Sequence, residues 1–193
     1  MIIHIAGLSG SGKTTLGKRL SKNKNIKVID TDDIDDPNAI KLLKKYKMIT
    51  NKYHLELAKL NKKDLDKVLR KYRNKIIIFV GFFHGGFNSL WSKVKHGYLI
   101  KVDAQTLWTR YNLRTIKCLH DNYKNIVKLF QSKTHFSKIH KILSVQYGIR
   151  NGFDCAGVTD MERHINRFKK DKRFKKYKYL NSDDIYKSII KLI

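Results

Sequence analysis

The sequence predicts an α/β fold of three layers, a parallel five-stranded sheet flanked by helices. Short apolar runs alternate with helical segments, which implies parallel strands joined by right-handed crossovers. The run "KIIIFVG", residues 75–81, is β-branched and aromatic, as a strand covered on both faces must be. The first apolar run stops at a glycine-rich loop that opens directly into a helix.

In chain order, residues 2–6, "IIHIA", form a strand ending at Gly7, and Leu16 and Leu20, one turn apart, mark the helix beyond the loop. A second strand fits 26–30, "IKVID". In "DDPNAIKLL", Asp36 is expected to cap a helix with Pro37 at its first position, where a missing N–H costs nothing. Helix is expected to continue to about Tyr72, with Leu65, Val68, Leu69 and Tyr72 forming one apolar stripe. The strand at 75–81 belongs in the middle of the sheet. A fourth strand fits 97–104, "GYLIKVDA", and a helix follows from about Gln105. Residues 117–160 show no clear pattern. "YKYL" is the fifth strand, and "NSDDIYKSIIKLI" is a last helix with acids in its first turn and lysines later, matching the helix dipole.

The 193 residues, 41% of them hydrophobic, suffice for one full core, and with no repeat and no Pro/Gly/Ser linker a single domain over 1–193 is expected. Lys and Arg number 42 against 16 Asp and Glu, a formal charge of +26, so nucleic acid is considered as a partner. The charge is spread along the chain, however, and the abundance of Lys, Asn, Ile and Tyr with a single Pro fits A/T-rich coding bias. The densest run is "RFKKDKRFKKYK", residues 167–178. Cys118 and Cys155 are too few for a disulfide framework, and "MIIHIAGLSG" lacks the basic start and long apolar core of a secretory signal. No window approaches the roughly 18 apolar residues of a membrane span. A cytoplasmic protein without a membrane partner is expected.

"GLSGSGKT", Gly7 to Thr14, matches G-x-x-x-x-G-K-[ST] between a strand and a helix. Gly7, Leu8, Ser9, Gly10, Ser11 and Gly12 let successive N–H groups turn inward, and the helix N-terminus, entered through Lys13, Thr14 and Thr15, adds partial positive charge; together they hold phosphate oxygens. Lys13 is expected at the β and γ phosphates of ATP and Thr14 at Mg²⁺.

A phosphate loop does not by itself separate kinases from other nucleotidases. "VIDTDDID", residues 28–35, puts Asp30 at the end of the second strand and Asp32 just beyond. Carboxylates beside phosphates suit Mg²⁺ binding or acceptance of a proton from an attacking hydroxyl; an acidic turn with a helix cap is the simpler alternative. The third strand ends in "VGFFHGG", where a Walker-type ATPase usually has an aspartate. Its glycines and His84 instead suggest close approach to a small acceptor. Asp103, after "YLIKV", is a rival metal acid. Arg110 and Arg114, one turn apart, suit ATP phosphates or the adenine edge, or are a solvated basic face. Arg150 is a candidate lid arginine. No Cys/His spacing suggests zinc, and Mg²⁺ is the expected metal.

With this loop, "DTDD", the glycine-ended third strand and "VDAQTLWTRYNLR" in this order, the chain resembles the small P-loop kinases. Shikimate and gluconate kinases are nearest in pattern, with nucleoside and nucleotide monophosphate kinases behind them. The resemblance covers about residues 1–115 plus the last strand and helix. It implies a P-loop NTPase fold with strand order 2-3-1-4-5, an acceptor-binding helical region at about 36–73 and a lid-like region at about 117–165. It also implies Asp30 near Mg²⁺, Asp32 at the acceptor hydroxyl, and Gly85 and Gly86 along the acceptor pocket, where the strand end itself already suggests Gly81 and His84. Implied partners are a nucleoside triphosphate and a small-molecule, nucleoside or nucleotide acceptor; the basic chain keeps a polynucleotide 5′-end kinase as the alternative. "GFFHGG" interrupts the acid-sugar kinases' glycine motif, no arginine closely follows the acidic cluster, and 117–175 is longer and more basic than their lid.

Overall fold

The computed structural model describes residues 1–147 and 158–193. Five strands, β1 (Ile2–Ala6), β2 (Ile26–Asp30), β3 (Ile76–Val80), β4 (Val94–Ile100) and β5 (Lys178–Leu180), form one parallel sheet of order β2-β3-β1-β4-β5. The helices are α1 (Lys13–Leu20), α2 (Asp32–Lys45), α3 (Asn51–Lys71), α4 (Ala104–Gln131), α5 (Phe136–Tyr147), α6 (Val158–Lys170) and α7 (Ser182–Ile190), with a 3₁₀ helix over Gly85–Lys93.

Alternation along the strands builds the two sheet faces. Ile3, Ile5, Ile78, Val80, Tyr98 and Ile100 pack with Leu16 and Leu20 of α1 and Ile185 and Ile189 of α7. Ile77, Phe79 and Ile29 pack with Leu65 of α3 and with Phe83, Phe87 and Leu90 on the other side. The stripe of Val68, Leu69 and Tyr72 joins that second cluster, as its spacing predicts. The three expected layers are therefore present.

Several boundaries differ from expectation. Helix α2 begins at Asp32, so Asp36 is not its cap and Pro37 lies inside it. The Ile34 and Asp35 amides donate to the Thr31 carbonyl at 3.3 and 3.0 Å, and Asp32, Asp33 and Asp35 in the first turn face the positive end of the dipole. That favours starting the helix one turn early, at the cost of the one N–H that Pro37 lacks. The expected continuous helix to Tyr72 breaks between Lys45 and Asn51, where Tyr46 turns extended and the Thr50 hydroxyl caps α3 by accepting from the Tyr53 amide. Among the described residues, the patternless 117–160 region holds the second half of α4, α5 and the start of α6.

The basic run 167–178 is not one solvated surface. Phe174 is buried, Phe168 and Tyr177 pack beside it, and the Arg173 guanidinium lies 4.7 Å from the centre of the Phe82 ring. His4 is buried in β1, its ring stacked 3.8 Å from Phe83. Burial lowers its pKa to about 4, so the neutral ring donates through Nε2 to the Gly81 carbonyl at 3.1 Å and accepts at Nδ1 from the Tyr177 hydroxyl at 2.8 Å. Among the described residues no helix is long and apolar enough to cross a membrane.

Candidate active site at the phosphate loop

The loop between β1 and α1 lies at the carboxyl edge of the sheet, where parallel α/β folds place ligands. Gly10 (φ +82°) and Gly12 (φ +91°) take left-handed conformations that side-chain-bearing residues rarely adopt. Between them the Ser11 amide donates to the Leu8 carbonyl at 3.1 Å, tightening the turn. The Lys13 ammonium lies back across the loop, donating to the Gly7 and Leu8 carbonyls at 2.8 and 2.9 Å. Ser11 Oγ is buried with no hydrogen-bond partner among the described residues, an orphaned donor inside the loop.

All nine residues from Gly7 to Thr15 line one cavity of about 750 Å³. Asp30, Asp32, Gly81, His84, Arg110 and Arg114 line it too, so most of the sequence-derived candidates converge in space. Thr14 Oγ1 donates to Asp30 Oδ2 at 3.2 Å, and the Asp32 amide donates to Asp30 Oδ1 at 3.2 Å. Burial, with the nearby Asp32 and Asp33 carboxylates, raises the Asp30 pKa against these two hydrogen bonds. A hydroxyl beside a carboxylate whose charge is disfavoured by burial is a hard-oxygen pair that a cation would stabilise, and with the orphaned Ser11 hydroxyl in the loop it fits Mg²⁺ and a triphosphate. Among the described residues no three His, Cys, Asp or Glu side chains gather as a metal set; Mg²⁺ at phosphates needs only one or two protein ligands.

At Gly81 (φ +122°) an added Cβ would overlap Thr31 Oγ1. The Thr31 amide donates to the Val80 carbonyl at 2.9 Å and its hydroxyl accepts from the Phe82 amide at 3.3 Å, so Gly81 lets the end of β3 dock against the start of α2. Arg110 Nη1 donates to the Gly10 carbonyl at 3.4 Å, and Arg114 lines the cavity one turn further on.

Two expectations are corrected. Gly85 and Gly86 do not line the cavity; they pack against α3, where a Cβ on Gly86 would overlap the Ala58 carbonyl and lie 2.7 Å from the Lys62 amide nitrogen. Asp103, the rival metal acid, caps α4 by accepting from the Thr106 amide at 2.7 Å and lies off this cavity. Arg150 lies outside the described residues. Met161, His164 and Phe168 of α6 line the cavity without a local signal, because only the docking of α6 onto α4 brings them there; Tyr111 of α4 and Phe82 after β3 line it too.

A profile of the AAA domain family matches residues 3–126, and the chain belongs to that family. No curated protein sequence matches. A shikimate kinase from Bacteroides thetaiotaomicron superposes over 100% of this chain and 97% of its own, with 15% identity and a TM-score of 0.53. A deoxyadenosine kinase from M. mycoides covers 100% and 96% at 13% identity with a TM-score of 0.45. A shikimate kinase from Acinetobacter baumannii covers 99% and 91% at 13% identity with a TM-score of 0.41. The sheet order and the phosphate loop after β1 give this chain the fold of the small P-loop kinases.

Proposed function

We propose that the chain is an ATP-dependent phosphotransferase acting on a small-molecule, nucleoside or nucleotide acceptor. The observation that carries this is one cavity joining the phosphate loop, the Thr14–Asp30 pair and the Asp32 carboxylate. Bound ATP with Mg²⁺ would supply the γ-phosphoryl group, which passes to the acceptor oxygen as its bond to the β-phosphate oxygen breaks and ADP leaves. The loop amides and Lys13 hold the triphosphate oxygens, and Thr14 and Asp30 provide the hydroxyl and carboxylate for the metal. Arg110 and Arg114 face the donor's phosphates or its adenine edge. Asp32 orients the acceptor hydroxyl and accepts its proton at a carboxylate oxygen. Gly81 and His84 form the acceptor wall. Catalysis on this reading is positioning and charge neutralisation.

The test is transfer of label from γ-labelled ATP into a pool of nucleosides, nucleotides, sugars, hydroxy acids and 5′-hydroxyl oligonucleotides. One small species gaining label is the expected result; labelled oligonucleotide instead assigns the basic chain to a polynucleotide kinase. Lys13→Ala should lower the rate by about 10²–10³-fold. A Lys13→Ala protein working at the wild-type rate ends the proposal.

A further inference from the structure

Beyond the phosphate end of the cavity, α2 and α3 bury a chain of polar side chains that the reaction above does not use. Asp35 is 4% exposed, and its Oδ1 accepts from Asn61 Nδ2 at 2.6 Å. Asn61 Oδ1 in turn accepts from Asn38 Nδ2 at 3.0 Å, which also reaches Asp64 Oδ2 at 3.1 Å. Burying a carboxylate this deeply is costly unless cations answer it.

Two cations do. His84 Nε2 lies 3.6 Å from Asp35 Oδ1, and Lys141 Nζ, from α5, lies 3.8 Å from Asp35 Oδ2. At these distances the carboxylate pairs with both cations chiefly through charge. His84 Nδ1 meanwhile lies 3.2 Å from the Phe82 carbonyl. With an oxygen facing each ring nitrogen, the doubly protonated, cationic ring is the favoured form. Asp35 thus faces an imidazolium and an ammonium, and of these three groups His84 lines the cavity. The charged groups around the ring are Asp35 of α2 and Lys141 of α5, while Asp32 of α2 and Lys13 of the loop line the same cavity and α3 offers the neutral Asn61.

We infer that Asp35 is a positioning residue that holds His84, with Lys141, as a binding subsite for an anionic group of the acceptor. On this inference the acceptor carries a carboxylate or phosphate besides the hydroxyl that meets Asp32, and neutral nucleosides and sugars are poorer ligands. Calling the ligand an acceptor rests on the phosphotransferase reading; the subsite itself does not. The ionisation directions agree: the neighbouring Asp35 carboxylate raises the His84 pKa, and although burial pushes Asp35 up, His84, Lys141 and Asn61 bring it below the ordinary carboxylate value.

The test is an NMR titration of the full chain carrying ¹³C-labelled histidine, with Mg·ADP filling the phosphate loop and His84 assigned through His84→Gln. The wild-type His84 midpoint should lie above its ordinary 6.5. Inorganic phosphate should shift this resonance and raise its midpoint. Asp35→Asn should lower the midpoint and weaken the phosphate response about tenfold. Lys141→Met should weaken the response while raising the midpoint, a split that a merely structural contact would not produce. Acetate acting like phosphate assigns a general oxyanion subsite, and phosphate alone narrows the acceptor to a phosphorylated one. A wild-type midpoint at or below 6.5, or shifts with both anions no larger than those of His120, whose side chain is 86% exposed, overturns the inference, and both are read on wild-type protein whether or not Asp35→Asn folds. Label transfer is scored separately: transfer with an inert His84 sinks only the subsite, and a responsive His84 without transfer sinks only the kinase reading.

Discussion

Gly86→Ala separates two roles that one residue can have in a glycine-rich strand end. An added Cβ would overlap the Ala58 carbonyl, lie 2.7 Å from the Lys62 amide nitrogen and 2.8 Å from Asn61 Cβ. Two of these three neighbours are helix backbone, so relief requires α3 to move away from the 3₁₀ helix, and α3 also carries the core residue Leu65. Overpacking that a flexible side chain could absorb costs about 1 kcal/mol, whereas displacing backbone belongs near the upper end, about 3 kcal/mol. For a chain of this size that lowers the thermal midpoint by about 6–12 °C. The assay is urea unfolding followed by circular dichroism, paired with initial rates at saturating and limiting acceptor. A variant as stable as wild type but with a raised acceptor KM would refute the packing role and restore Gly86 to the pocket wall.

Three further predictions concern ionisation and the surface. His4, neutral in the fold with a pKa of about 4 against an ordinary 6.5, must stay unprotonated while the unfolded chain takes up a proton. Its contribution is therefore complete above pH 6.5 and is lost as pH falls toward 4, a loss of about 3 kcal/mol from this group, and His4→Asn should flatten that part of the urea-midpoint profile. The raised pKa of Asp30 means its charged form opposes folding at neutral pH, so Asp30→Asn should raise the thermal midpoint while removing Mg²⁺-dependent phosphotransfer; a variant that loses both would contradict this. The Arg19–Asp183 pair, at 2.6 Å, is exposed on both sides, and Asp183→Ala should change unfolding free energy by less than about 1 kcal/mol.

The parts legible in the sequence are those set by neighbours along the chain. Gly10, Gly12 and Lys13 form their loop because left-handed glycines and a helix N-terminus act within eight residues, and strands β1 and β3 announce themselves by composition. The start of α2 was less legible, because Pro37 reads as a first-turn residue when the three carboxylates ahead of it are taken as loop. Gly86 read as a ligand-facing glycine for a similar reason. A missing side chain signals close approach without saying whether the approaching group is a substrate or, as here, the backbone of α3.

The sequence by itself determined the parallel sheet and the phosphate loop, since β-strand periodicity and the loop's backbone requirements are local. Only the tertiary structure decided that α6 brings Met161, His164 and Phe168 to the cavity, that Asp103 is a cap, and that Asp35, Asn61, His84 and Lys141 meet around one buried carboxylate. Those four residues come from three helices and a loop, and a charge in sequence carries no sign of whether it ends in water or under protein. Desolvation and partner placement, which decide what an ionisable side chain does, exist only once the helices have packed.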